Sequence, residues 1–203
     1  ADKTFFPKEV LKAKMREIYI KESDSGKNEI CTKEELVEFL EDGNALIDWF
    51  TKSKNFNKFF TLKEDELIAI EHPINTKINE NINFLGFIDL IVRNNYSKKY
   101  RIIDFKTSTR GWNQYQKKDT VKNSQILLYK KFYAELLNIS EDSIDVEFII
   151  LKRKINEDME YPPPRISKHI PAHGKPSINK AWSGFKEFID SVFDENGEYR
   201  KDV

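Results

Sequence analysis

This sequence predicts an α/β fold, a mixed sheet of four to five strands flanked by helices on both faces. Three observations carry that expectation. Short apolar runs rich in β-branched residues follow one another at residues 67–74, 84–92 and 100–106. A fourth such run, 146–151, comes only after a long helical pattern from about 120 to 137. Amphipathic helical patterns stand before the first strand and after the last. The order is helices, three strands, helix, strand, loop, helix. A βββαβ core of this kind starts antiparallel and has room for one crossover, which makes the sheet mixed.

In chain order, residues 7 to about 23 space Val10, Leu11, Ile18 and Tyr19 among charges and predict an amphipathic helix. Thr32 with Glu35 is a capping-box pair that opens a second helix through Leu36, Val37, Phe39 and Leu40. Gly43 is a candidate break before residues 45–50. The three strands follow. Asp119 or Thr120 caps the next helix, and the YPPP run at 161–164 forces extended chain. The last helix is expected from near Ser177, with Ala181, Trp182, Phe185, Phe188, Ile189 and Val192 on one stripe. Neither an internal repeat nor a low-complexity linker interrupts the pattern.

At 203 residues the chain suits a single domain spanning 1–203, with a helical N-terminal part at 1–60. An apolar fraction of 39% with fifteen Phe supports a packed core and excludes a disordered chain. Lys+Arg and Asp+Glu cancel at 34 each, which excludes a uniformly basic nucleic-acid coat. The charge is unevenly spread. Residues 29–80 carry twelve acids against six bases, whereas 98–131 carry ten bases against two acids. Residues 151–180 add seven bases against three acids. Such a chain either presents one anion-binding face or merely solvates its lysines. Cys31 is the only cysteine, which excludes a disulfide scaffold, a zinc ribbon or a cysteine-ligated cluster within this chain and suits a reducing compartment. No apolar run approaches the roughly 20 residues that span a bilayer, and the opening ADKTFFPKEV lacks a secretory core. The expectation is a soluble intracellular protein with no membrane partner.

The chemistry concentrates in FLGFIDLIV, RNNYSKKY and RIIDFKTS. By the period of two, Leu85, Phe87, Asp89 and Ile91 share one strand face, so Asp89 sits amid apolar neighbours. An unpaired carboxylate there costs several kcal/mol unless something neutralises it. On the next strand Ile102, Asp104 and Lys106 share a face. A turn centred on Tyr96–Ser97 brings position 89 opposite 104, with Cβ atoms roughly 5 Å apart. Like charges at that distance repel and raise one pKa unless a cation intervenes. A hard divalent ion prefers such oxygens. The adjacent lysine then orients or deprotonates a water, or neutralises transition-state charge. Taken alone, a D-x-K triplet is an ordinary surface salt bridge; Asp89 in register on an apolar strand favours a site. Gln125 and Tyr129, spaced i, i+4, share a face of the following helix, with Tyr133 and Leu136 continuing the stripe.

Together, G-F-I-D at 86–89, I-I-D-F-K-T at 102–107 and Q-x-x-x-Y at 125–129 resemble the RecB-type branch of the PD-(D/E)XK nucleases. That branch includes bacterial recombination nucleases, many phage exonucleases and the mitochondrial genome maintenance exonuclease. The resemblance is strongest from about 70 to 133 and extends to 193. It implies a restriction-endonuclease-like fold with the catalytic core at 67–193. It implies Asp89 and Asp104 as ligands of Mg²⁺ or Mn²⁺, with the Phe105 carbonyl completing the site. Lys106 becomes the catalytic lysine, and Gln125 and Tyr129 support the scissile phosphate. Glu71, in I-A-I-E-H-P, resembles an acid seen just upstream in the family, or is a plain surface glutamate. The substrate implied is DNA, single-stranded or with free ends, cut by an exonuclease or an end- or flap-processing enzyme to leave a 5′-phosphate and a 3′-hydroxyl. A larger replication or recombination assembly and, for a phage-encoded chain, the cytoplasm of a bacterial host complete the expectation. One departure from the pattern is that the earlier helix, G-N-A-L-I-D at 43–48, lacks the usual histidine and is displaced by one residue.

Between the D-x-K strand and the Gln125 helix, Arg110, Lys117 and Lys118 mix with Trp112 and Tyr115. A basic loop with aromatics suits phosphate contacts and stacking on unpaired bases; Trp112 reads equally as a core anchor. His72, His169 and His173 form no zinc spacing. Two rival readings stand beside the nuclease. One is a catalytically inactive nucleic-acid-binding domain of the same fold. The other is a sheet-based protein-interaction module, which predicts neither metal binding nor salt-sensitive DNA affinity.

Overall fold

A computed structural model describes residues 6–24, 31–61, 63–156 and 158–200. The ends of the expected single-domain span, 1–5 and 201–203, lie outside the described residues. The chain forms two compact units, one from Ala1–Phe60, Thr107–Gly111 and Leu151–Ser167, the other from Thr61–Lys106, Trp112–Ile150 and Lys168–Val203.

In the first unit α1 (Pro7–Asp24), α2 (Lys33–Phe50) and the short α3 (Ser53–Phe56) follow in order. The Thr32 hydroxyl accepts from Glu35 N–H while the Glu35 carboxylate accepts from Thr32 N–H, the reciprocal box that starts α2. Gly43 does not break this helix. It permits close approach instead, since a Cβ there would fall 2.5 Å from Leu11 Cδ2 of α1. Asp42, almost fully buried, pairs with Lys154 at 2.9 Å and Arg153 at 3.5 Å. Asp48, the acid of the 43–48 motif, pairs with Lys8 at 2.6 Å.

The sheet has the order β1-β2-β3-β4-β5, with β1 Asp65–Lys77, β2 Asn83–Asn94, β3 Tyr100–Ser108, β4 Ile144–Lys152 and β5 Ile166–His169. β1, β2 and β3 pair antiparallel. Past β3 and β4 the Arg153 and Lys154 N–H groups donate to the Ser108 and Thr109 carbonyls in step, as parallel chains do. The result is the mixed sheet with flanking helices expected of a restriction-endonuclease-like α/β fold. Between β3 and β4 lie α4 (Gln114–Lys118), α5 (Thr120–Leu137) and a 3₁₀ turn at Glu141–Ser143. Asp119 caps α5 by accepting from the Val121 and Lys122 N–H groups. α6 (Lys175–Val192) starts two residues before Ser177, with Pro176 in its first turn. Ile88, Ile91, Ile102, Ile126, Phe132, Phe148 and Ile178 anchor the core. Of the expected α6 stripe, Ala181 and Ile189 are buried, whereas Phe188 is exposed; Ile178, outside that stripe, is buried as well.

Leu85 and Phe87 are exposed, yet Ile91, which strict alternation places on their face, is fully buried together with Ile88. Residues three positions apart lie on opposite faces of a strand, so β2 buries one residue on each face, Ile88 and Ile91, as a strand covered by helices on both sides does. β1 keeps its register at this level, Ile70 pairing with Leu90 and His72 with Ile88, although Glu71 between them has φ +50°, the left-handed region that a non-glycine residue seldom occupies; the register shift of this pair lies between Leu67 and Ala69.

Candidate active site

The β2–β3 turn places the site. Asn94 Oδ1 accepts from the Tyr96 and Ser97 N–H groups, closing a tight connection. Arg93 therefore pairs with Tyr100 and Leu90 with Ile103, the register of a turn centred on Tyr96–Ser97. The backbone ladder stops at Leu90–Ile103, and one step further in the same register stand Asp89 and Asp104. Here the Asp89 side chain replaces a strand partner, its Oδ2 accepting from Phe105 N–H at 2.7 Å. Asp104 is 2% exposed. Burial raises its pKa above the ordinary carboxylate range; Lys106 opposes the shift and the Asp89 charge adds to it.

Lys106 Nζ lies 2.8 Å from Asp104 Oδ2. The contact is an ion pair without hydrogen-bond alignment, so this buried oxygen lacks a hydrogen-bond donor. The lysine donates instead to Gln125 Oε1 at 3.1 Å, and Gln125 Nε2 donates to the Tyr129 hydroxyl at 3.1 Å. Tyr129 is buried, its ring edge-on to Phe84. A Cβ at Gly86 would stand 2.7 Å from Tyr129 Cε1, so the glycine of G-F-I-D is the seat of the tyrosine of Q-x-x-x-Y. Five of the expected residues, Asp89, Asp104, Lys106, Gln125 and Tyr129, thus come together where the ladder opens.

Glu71 lies one row along β1 at the level of Asp89 but is exposed. Among the described residues no three His, Cys, Asp or Glu side chains gather as a metal cluster. Trp112 is half-buried against Phe148 and His169, with Lys122 over its ring. Burial pushes the His169 pKa down. His173 Nδ1 stands 2.9 Å from the Pro171 carbonyl, and the buried Lys130 donates to the His173 carbonyl. Lys117 and Lys118 end α4, and Arg110 is exposed in the first unit. An element that sequence reasoning missed is a groove between α5 and α6 flanking Gln125 and Tyr129. Its signal was weak, because Phe185 and Phe188 read as ordinary core positions.

Comparison with curated proteins finds no match. A family model described as the PD-(D/E)XK nuclease superfamily matches residues 8–192, nearly the whole chain and every residue of the opened ladder. The chain belongs to the PD-(D/E)XK nuclease superfamily.

Proposed function

We propose that this protein is a metal-dependent deoxyribonuclease that works at free DNA ends, as an exonuclease or an end- or flap-processing enzyme. The observation that carries the nuclease reading is the opened β2–β3 ladder, with Asp89 and Asp104 at its mouth and Lys106 held beside them; the preference for free ends comes from the resemblance to the RecB-type branch. Nucleases of this superfamily generally use divalent ions such as Mg²⁺ or Mn²⁺. The donors fit such an ion: two carboxylates, one buried and with an oxygen lacking a hydrogen-bond donor, beside the Phe105 carbonyl. Asp89, Asp104 and that carbonyl would hold it. When bound, the ion supplies Lewis-acid polarisation of the phosphate and of an attacking water.

The chain's own residues do the rest. Lys106, fixed between Asp104 and Gln125, places a positive charge where charge builds on the phosphate oxygens. Gln125 sets the direction of that ammonium, and Tyr129 sets Gln125. Burial, with the Asp89 charge as a smaller contribution, raises the Asp104 pKa, so a cation beside the carboxylate would offset a cost that Lys106 only partly offsets. Digestion of 5′- and 3′-labelled strands and of closed circular DNA, with Mg²⁺ or with EDTA, tests the reading. Progressive shortening from one labelled end, absent in EDTA and absent on closed circles, is expected. Cutting of closed circles as fast as linear strands would make it an endonuclease. The second reading, an inactive nucleic-acid-binding domain, draws on the lack of a third acid among the described residues at the opening. It predicts salt-sensitive DNA binding with no cleavage in any metal.

A further inference from the structure

Beside the candidate site, α5, α6 and the start of β2 enclose a groove of about 740 Å³. Gln125 and Tyr129 line it, so the hydrogen-bonded series from Lys106 leads directly into it. One side is aromatic. The Phe84 ring meets Phe185 edge-on at 5.6 Å, and Phe188 lines the same groove while more than half exposed. Among the described residues Lys180 is the one charged side chain of the lining.

We infer that this groove seats an unpaired nucleobase next to the scissile phosphate of a single DNA strand. The inference rests on the nuclease reading for where that phosphate lies. The lining selects the occupant. A phosphate backbone needs several cations, and the groove offers one lysine, so the charged part of a nucleotide stays outside, toward Lys106. A base is flat and uncharged, stacks on aromatic rings such as Phe84, Phe185 and Phe188, and brings polar edge groups that suit the Gln125 amide and Tyr129 hydroxyl at the head of the groove. A base within a duplex is held in its stack and enters only after extrusion, so the groove favours unpaired strands.

Gly184 provides the test. It lines the groove on α6, and a Cβ built there meets nothing within 4 Å. Gly184→Trp therefore starts without a Cβ clash and projects an indole from α6 into the groove. Binding of a single-stranded oligonucleotide is measured by fluorescence anisotropy in EDTA, intact and with an abasic residue stepped along it. Cleavage of the same strands is measured in Mg²⁺. Loss of one base is expected to weaken binding about tenfold at one or two positions flanking the cut, within the range of a single stacked base. Gly184→Trp should weaken the intact strand by a similar factor, leave the abasic strand unaffected and keep the melting temperature. Equal binding of intact and abasic strands at every position overturns the inference, as does a folded Gly184→Trp that binds the intact strand normally. Either result would leave the groove to a protein or small apolar ligand. The abasic scan needs no substitution, so a misfolded variant does not shelter the proposal. Metal-dependent cleavage without any base dependence sinks the groove alone; base-dependent binding with no cleavage in Mg²⁺ sinks the nuclease reading.

Discussion

Asp104 is a buried acid whose pKa rises even with a lysine 2.8 Å away. Desolvation therefore outweighs the ion pair, and the metal-free fold holds this proton more tightly than the unfolded chain does. The stability it gives is fully present below the ordinary carboxylate range and is lost as pH rises through the raised folded value, because there the native state binds more protons than the unfolded chain. Asp104→Asn removes that penalty. In EDTA at about pH 8 the variant should gain on the order of 1 kcal/mol, or about 2–4 °C for a chain of this size. Below the carboxylate range the gain should vanish. Melting curves across pH check both halves, and a variant destabilised at every pH would show that the Lys106 contact outweighs burial. At this scale the sequence was informative about identity and less so about surroundings. Asp89, Asp104 and Lys106 could be placed from a symmetric turn alone. That Asp89 would spend one oxygen on the Phe105 N–H could not, because that bond exists only where the ladder fails.

Two elements meet through Gly86 and Tyr129, and that contact couples the β2 motif to the α5 motif. Gly86→Ala would put a methyl group 2.7 Å from the tyrosine ring and 3.0 Å from its hydroxyl. The ring is packed against Phe84 and has little room to yield. A loss of about 1–3 kcal/mol is expected, together with reduced turnover per folded molecule as Gln125 shifts from Lys106. Melting temperature and rate measured on one preparation decide the matter; a destabilised but fully active protein would uncouple the two motifs. The periods of the strands and helices made β1 to β4, α5 and α6 legible, and a turn of known symmetry gave the β2–β3 register. The positive φ of Glu71 and the register shift between Leu67 and Ala69 were not legible, since period-two reasoning assumes a regular strand. β5 and α4 were missed as well. Four and five residues are too short to show a period, and α4 owes its start to the reciprocal Asn113–Gln116 cap.

For the molecule as a whole, zero net charge conceals a basic stretch from 98 to 131 that carries Lys106 and the end of α4. If Lys117 and Lys118 each touch a phosphate, replacing both with alanine should weaken binding to a single strand uniformly across sequences. It should also lower the slope of log K against log salt by roughly 0.7 for each lost contact. Anisotropy titrations at several salt concentrations measure that slope, and an unchanged one would send the DNA path to the bases of 151–180. The central claim is that the opened ladder is a metal-dependent cleaving centre in which the two acids hold the ion and Lys106 serves the chemistry. Its most direct test is the single-turnover cleavage rate of an end-labelled DNA strand titrated with Mg²⁺, on the unaltered protein, Asp104→Asn and Lys106→Ala. The account predicts a saturable, Mg²⁺-dependent rate for the unaltered protein, no cleavage by Asp104→Asn, and for Lys106→Ala a rate at least about a hundredfold lower with the same Mg²⁺ midpoint. Wild-type cleavage by Asp104→Asn, or undiminished cleavage of the unaltered protein in EDTA, would contradict it.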